Sequence, residues 1–264
     1  MENLDKDNLL ELKTKELVPS DQFATSFMNK LDVMTQTIKL SIIIPCYNEE
    51  QNIDAILEKV NAVDFGNTVE TEFIIVDDGS SDRTRHLLET NHSHHKLLFH
   101  GRNQGKGMAI RTGIKHVTGD YVVIQDADME YNPQNIKSIL DVMIENDAEV
   151  VYGSRTHNRK HCGASFYWGG QFLTWLTNFL YGSSITDEPT CYKMFKTNIL
   201  IDTPLTCKRF EFCPEITAKV LKKGIHIFEI PIEYFPRSKS EGKKINWVDG
   251  VEAIWTLLKF RVIS

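Results

Sequence analysis

"GDYVVIQDADMEYNP", residues 119–133, carries an apolar run into a row of carboxylates. Tyr121-Val122-Val123-Ile124 reads as a strand heading into a core, and Asp126, Asp128 and Glu130 follow at alternate positions. At about 3.3 Å per residue, Asp126 and Asp128 would stand roughly 6.6 Å apart on one side of an extended chain. Two like charges at that distance repel by about 2.5 kcal/mol at an effective dielectric of 20. A divalent cation offsets such a cost. Mg²⁺ or Mn²⁺ takes oxygen donors, commonly one or two carboxylates completed by phosphate oxygens of a substrate. Asp126 and Asp128 are the candidate metal ligands, with Glu130 as a third.

The same pattern of apolar strand, polar turn and helix repeats on both sides of this stretch. Upstream, Leu40 to Pro45 is a β-branched run suited to a strand buried on both faces. Asn48, as N-cap, opens an amphipathic helix carrying Ile53, Ile56, Leu57 and Val60. "TEFIIVDDGSSDRT" supplies a second strand and leads to a helix from about Asp82 to Glu89. "KLLFHG" is a third strand, and "RNQGKGMAIRTGIKHV" runs from it into another helix. Downstream, "PQNIKSILDVMIEN" is a helix and "AEVVYGSR" a fifth strand. The alternation predicts an α/β fold, a Rossmann-like, mostly parallel sheet with helices on both faces. Such sheets bind ligands beyond the carboxyl ends of their strands, where "PCYNEE", "VDDGSSD", "RNQGKG", "QDADME" and "GSR" all fall. Several strands therefore deliver polar groups to one crevice.

Beyond Arg155 the pattern changes. "FYWGGQFLTWLTNFLYG", residues 166–182, predicts a helix with Phe172, Leu176, Phe179 and Leu180 on one face and Trp168, Trp175 and Tyr181 nearby. A core helix and an interfacial, membrane-touching helix both fit it. "FEFCPEITAKVLKKG" reads as a helix, "IHIFEIPIEYFP" as a strand pair or bent strand, and "RSKSEGKK" as a basic loop. Residues 247–264 predict an amphipathic helix with Trp247, Val251, Ile254, Trp255, Leu258 and Val262 on one face. One domain, 38–264, preceded by a polar extension, 1–37, is the simplest organisation.

With 264 residues the chain can build a sizeable core, and 41% hydrophobic and 25% charged residues are ordinary for a globular protein. A net charge of −6 argues against a nucleic-acid-coating role. Five cysteines without CxxC spacing point to reduced thiols in the cytosol, packing as small hydrophobes. The acidic start "MENLDKDNLL" predicts no signal peptide, and the lack of an 18-residue apolar run predicts no transmembrane helix.

Among the other motifs, Asp77 and Asp78 end a strand and suit hydrogen bonds from a base N–H or ribose hydroxyls. Gly79 and Ser81 read as turn and cap residues. "QGKG", residues 104–107, lets backbone approach a phosphate-bearing ligand, but lacks the Lys-Ser/Thr ending of a P-loop. "NHSHHK", with His92, His94 and His95, lies away from the strand ends and reads as a solvated loop.

Taken in order, "SIIIPCYNEE", "VDDGSSDRT", "NQGKGMAIRTGI", "GDYVVIQDADMEYNP" and "YGSR" resemble the family 2 glycosyltransferases of GT-A fold. Within them the chain is similar to the dolichol-phosphate mannose synthase and polyprenyl-phosphate branch. That likeness runs on through "TDEPTCYKMF", "FEFCPEITAKVLKKG" and "PRSKSEGKKINWVDGVEAI". The resemblance implies a nucleotide-sugar-binding half, 38–155, and an acceptor-side half, 156–264. It implies that Pro45, Tyr47, Asn48 and Glu49 line the base pocket, with Asp77 at the base or ribose. It further implies that Lys106 and Ala127 lie by the donor, and that Arg155, Arg237 and Lys243 or Lys244 face the diphosphate or acceptor phosphate. Asp187 matches the family's acceptor-side acid, and Glu130 departs from the glutamine frequent at its position.

The expected reaction moves a hexose from UDP-glucose or GDP-mannose to a polyprenyl phosphate with inversion, aided by Mg²⁺ or Mn²⁺ at Asp126 and Asp128. Arg155 and the basic loop would neutralise phosphate, and Asp187 would act as base toward a hydroxyl acceptor. Two other readings remain open: a soluble family 2 enzyme acting on a saccharide or other hydroxyl, and a non-catalytic nucleotide-sugar-binding module. The expected location is cytoplasmic, with peripheral membrane contact through 166–182 and the C-terminal helix.

Overall fold

The computed structural model describes residues 37–156, 164–237 and 247–263. Lys243, Lys244, the rest of the basic loop beyond Arg237, and residues 1–36 of the expected extension lie outside the described residues. The described strands, in chain order, are β1 (Ile38–Cys46), β2 (Val69–Asp77), β3 (Lys96–Phe99), β4 (Tyr121–Ile124), β5 (Val150–Ser154), β6 (Lys193–Lys196) and β7 (Ile227–Pro231). The helices are α1 (Ile53–Asn61), α2 (Thr84–Asn91), α3 (Lys106–Ile114), α4 (Gln134–Glu145), α5 (Ala164–Tyr181), α6 (Thr197–Ile201), α7 (Phe212–Lys222) and α8 (Trp247–Val262).

The strands form one sheet in the order β3-β2-β1-β4-β6-β5-β7. β1 pairs parallel with β4, β2 with β3, and β5 with β7. "KMFK" forms β6, which enters antiparallel between β4 and β5, so the fourth and fifth strands of the expected run are not neighbours. Side-chain alternation on β2 covers both sheet faces. Phe73 and Ile75 join the main core, while Ile74 and Val76 pack with Ala109 of α3. Gly113 lets α3 lie close on β1, because a Cβ there would stand 2.6 Å from Ile43 Cγ2.

Two expectations are corrected. Asn48 is not a helix cap: it adopts φ +50° in the loop after β1, and α1 starts only at Ile53 behind Asn52. The second correction concerns the apolar faces of α5 and α8. Both helices pack inward with a mix of apolar and polar residues: Thr174, Leu176 and Thr177 on α5, and Asp249, Ala253, Thr256, Leu257 and Phe260 on α8. The larger apolar stripes point outward. Trp168, Trp175, Trp247 and Trp255 are 69, 58, 80 and 66% exposed, with Phe172, Phe179, Val251, Leu258 and Val262 beside them. Thr174 and Thr177 sit inward without cost because their hydroxyls donate to the Gly170 and Leu173 carbonyls one turn back. The core-helix reading of 166–182 therefore holds for Leu176 and fails for Phe172 and Phe179.

Candidate active site

The loops after β1 and β2 are fastened to each other. The Ser81 N–H donates to Asn48 Oδ1 at 2.8 Å, the Asn48 N–H to the Ser80 hydroxyl at 2.9 Å, and the Glu49 N–H to the Thr84 hydroxyl at 2.8 Å. Pro45 is buried within β1, Tyr47 is half-buried just after it, and the Glu49 carboxylate takes a bond from Asn52 Nδ2. Gly79, at φ +71°, closes the second loop against Arg102, where a Cβ would not fit. Asp77 is fully buried and its Oδ1 accepts the Ser80 N–H at 3.2 Å. Asp77 Oδ2 is buried with no hydrogen-bond partner among the described residues. Such an oxygen costs about 1–3 kcal/mol until a donor reaches it, which suits a ligand N–H or hydroxyl.

Asp78 does a different job from the one its neighbour suggests. Its Oδ1 meets His100 Nδ1 at 2.6 Å and the Gln104 N–H at 2.9 Å, and its Oδ2 accepts the Gly105 N–H at 2.7 Å. The carboxylate thus fastens the "QGKG" turn rather than facing a base or ribose. Gly105, at φ +97°, packs on the Lys208 carbonyl, and the turn is pinned further by the Gly107 N–H on Arg209 O at 2.9 Å. Lys106 leaves this turn with Nζ 2.5 Å from Asp126 Oδ1. Burial opposes its charge, but Asp126, together with Cys191 and Cys213, outweighs that and holds the ammonium well above its usual range.

β4 stops at Ile124, so the acids lie on a turn and not along a strand. Met129 takes φ +63°, and Asp128 Oδ1 accepts the Glu130 N–H at 3.1 Å. Ala127 is buried between the two aspartates. Arg237 Nη2 lies 2.9 Å from Asp128 Oδ2, and its Nε lies 3.5 Å from Glu130 Oε1. Glu130 also accepts the Tyr234 hydroxyl at 2.6 Å and the Arg237 N–H at 3.1 Å. Its carboxylate therefore anchors the segment after β7, a task beside the one expected of it as a third metal ligand. Among the described residues no three acids, histidines or cysteines converge as a ready-made cage. Asp126 and Asp128 remain hard oxygen donors in a site short of positive charge. Burial, and after it the charges of Asp126 and Glu130, push Asp128 up to about 7. That donor chemistry fits a divalent ion completed by phosphate oxygens.

At the end of β5, Arg155 donates from Nε and Nη2 to both oxygens of Asp187 at 2.8 and 2.9 Å, and its backbone N–H adds a bond at 2.8 Å. The guanidinium also lies over the Tyr234 ring, 5.0 Å from its centroid. Asp187 is fully buried, so its carboxylate orients Arg155 instead of standing open as a base.

Several residues of the site were not anticipated. Glu229 on β7 accepts the N–H groups of Thr186 and Asp187 at 2.6 and 3.0 Å. From α5, Asn178 holds both the N–H and the carbonyl of Ile185, and the Thr174 hydroxyl receives the Glu188 N–H at 3.1 Å. Buried Lys193 donates to the Glu188 carbonyl at 2.6 Å. Glu229 is the lone acid within the apolar run "IFEIP", and that is a usable signal. The fastening of the 185–188 loop to α5 has none in the sequence. The histidine segment carries no metal set among the described residues, and His92 is buried against Asp54 at 2.7 Å rather than solvated.

Glucosyl-3-phosphoglycerate synthase from Mycobacterium tuberculosis, solved with phosphoglyceric acid, superposes with a TM-score of 0.68 at 17% identity. That match covers 86% of this chain and 81% of that one. The same enzyme with Mn²⁺, UDP and phosphoglyceric acid gives 0.68 at 17% identity, covering 86% and 80%. Its complex with Mn²⁺ and UDP-glucose gives 0.64 at 18% identity, again covering 86% and 80%. At such identity the likeness speaks for the fold, which is GT-A. The model of the family described as "Glycosyl transferase family 2" matches residues 41–203, from β1 past α6 and through every strand-end motif described above. The chain belongs to glycosyl transferase family 2 and is a glycosyltransferase.

Proposed function

We propose that this enzyme moves a hexose from a nucleoside diphosphate sugar, UDP-glucose or GDP-mannose, to a polyprenyl phosphate at a membrane surface, with inversion at the anomeric carbon. The observation that carries the acceptor assignment is the outward face of α5 and α8. All four tryptophans of the chain are on these two helices and all are exposed. Tryptophan is the side chain favoured at a bilayer interface, and covering a large apolar side chain gains roughly 2 kcal/mol. The two helices are joined, the Tyr181 hydroxyl donating to the Leu257 carbonyl at 2.6 Å. Through Asn178 and Thr174, α5 also holds the loop that bears Asp187. The acceptor side of the site therefore rests on the proposed membrane-facing layer.

In this reading residues 38–155 bind the donor and 156–264 serve the acceptor, with 1–37 as an extension. Asp77 meets a donor N–H or hydroxyl with its unpartnered oxygen, and Pro45, Tyr47, Asn48 and Glu49 line the base pocket. A Mg²⁺ or Mn²⁺ bound by Asp126 and Asp128 would neutralise charge developing on the leaving diphosphate. Lys106 and Arg237 supply charge-assisted hydrogen bonds to diphosphate oxygens, and Arg155 does the same for the acceptor phosphate. A phosphate oxygen attacks the anomeric carbon, the bond from that carbon to the diphosphate breaks, and its electron pair leaves with the diphosphate. An anionic acceptor needs no proton removed, which agrees with a carboxylate at Asp187 committed to Arg155. The enzyme acts peripherally, on the cytoplasmic face of a membrane.

The phosphoglyceric acid bound by the neighbouring synthase favours a second reading, a water-soluble phosphate-bearing acceptor. One assay separates the two. Protein with Mn²⁺ or Mg²⁺ is incubated with labelled UDP-glucose or GDP-mannose, alone, with polyprenyl phosphate, or with phosphoglycerate. Label extracted into organic solvent only in the lipid tubes supports the proposal. Label that remains water-soluble, or transfer that ignores the lipid, overturns it.

A further inference from the structure

The acid turn after β4 is partly neutralised by two cations of the chain itself. Lys106 Nζ is 2.5 Å from Asp126 Oδ1, and Arg237 Nη2 is 2.9 Å from Asp128 Oδ2. Arg237 also reaches Glu130 at 3.5 Å and Glu49 at 3.8 Å. Among the described residues four carboxylates thus meet two cations, so acids outnumber bases at the turn. The Lys106 and Arg237 side chains are only 22 and 16% exposed, so salt screens these pairs much less than surface pairs. Their backbones are held separately from the ion pairs. The turn preceding Lys106 hangs on Asp78, and the segment reaching Arg237 hangs on Glu130 through the Phe235 N–H at 2.8 Å to its carbonyl. Each side chain can therefore change partner while its backbone stays in place.

We propose that Lys106 and Arg237 are exchangeable counter-cations. In the donor-free protein they neutralise the carboxylates; when a divalent ion and a diphosphate enter, they pass to the diphosphate oxygens. This rests on the donor reading above, and it assigns these residues a second task within that reading. A metal ion arriving alone must displace an ammonium and a guanidinium from the oxygens it needs. A diphosphate draws those cations away and frees the oxygens. Metal and nucleotide consequently bind cooperatively, and by linkage each tightens the other by the same factor.

The test measures Mn²⁺ binding by electron paramagnetic resonance, with the metal alone and with UDP or GDP added. Wild type is compared with Lys106→Met, Arg237→Gln and Asp128→Asn. In wild type the nucleotide should tighten Mn²⁺ binding by about tenfold or more. Lys106→Met and Arg237→Gln should each bind Mn²⁺ alone several-fold more tightly than wild type and lose most of the nucleotide effect. Asp128→Asn should lose Mn²⁺ in every condition. If both cation variants bind Mn²⁺ alone no better than wild type while Asp128→Asn loses it, the exchange is wrong and the metal seat stands. If Asp128→Asn keeps wild-type Mn²⁺ affinity, the seat falls and the exchange with it. Should Lys106→Met fail to fold, Arg237→Gln decides the matter by the same measurement.

Discussion

Arg155 and Asp187 form a single unit, two guanidinium nitrogens lying 2.8 and 2.9 Å from the two carboxylate oxygens. The pair ties the end of β5 to the loop ahead of β6, and Glu229 holds that loop from the other side through the Asp187 N–H. Removing one member of a buried pair strands the other, at a cost of about 3–5 kcal/mol. Arg155→Met and Asp187→Asn should each lower Tm and activity, and the double variant should fall no further than the worse single one. A double-mutant cycle on kcat/KM checks this. Additive losses would mean that Asp187 acts as a base independent of Arg155.

The three acids of the turn should separate in their effects. Asp126→Ala and Asp128→Ala should lower kcat by roughly 10²–10³-fold, since metal stabilisation of a leaving diphosphate is worth several kcal/mol. Glu130→Gln, which can still accept from Tyr234 and Arg237, should cost much less. Steady-state rates at saturating metal settle the ranking, and an equal loss at all three would make Glu130 a ligand.

Asp128 also predicts a pH dependence in metal-free protein. Burial and the neighbouring acids raise its carboxyl from 3.8 to about 7. A raised carboxyl keeps its proton longer in the folded state, so this contribution favours folding at low pH and fades as pH climbs between those two values. In chelator-treated protein, Tm of wild type relative to Asp128→Asn should fall as pH rises from 5 toward 8. A difference that stays flat over that range contradicts the raised value.

Asp78 should behave as a fastener of the donor loop. Asp78→Ala leaves the Gln104 and Gly105 N–H groups and His100 without their acceptor, at about 1–3 kcal/mol for each stranded group. The expected signature is a lower Tm with weakened nucleotide binding in titration calorimetry. Undiminished stability would return Asp78 to the role of a direct ligand contact.

The outward face of α5 and α8 can be altered with little effect on folding. Trp175→Ser and Trp255→Ser change exposed side chains, so each should shift stability by no more than about 0.5 kcal/mol. Both should reduce co-sedimentation with phospholipid vesicles. Unchanged sedimentation in the double variant would remove the membrane from the acceptor assignment.

The sheet was legible because its strands are short β-branched runs closed by turn residues, and the helix face of α1 followed from periodicity. The antiparallel β6 was not, since "KMFK" looks the same whichever way it pairs. Periodicity located the apolar stripes of α5 and α8 but not their direction. A stripe of Trp, Phe and Val reads alike whether it meets a core or a bilayer, and only the inward threonines, satisfied by carbonyls one turn back, decide the matter. At the site, the type of each strand-end acid was evident while its partner was not. Asp77 and Asp78 are adjacent and alike in sequence, yet one keeps an oxygen open and the other closes a turn. Asp187 looked like a base because its partner Arg155 is 32 residues away and meets it only in the folded chain.

The confinement of every tryptophan to two outward helix faces gives the protein a built-in optical probe. Its intrinsic indole emission comes from that surface alone. A blue shift on adding vesicles would report coverage of the α5–α8 face without any label. Nucleotide titrations read in the same channel should stay silent unless occupation of the donor crevice reaches α5 through the Asn178–Ile185 fastening.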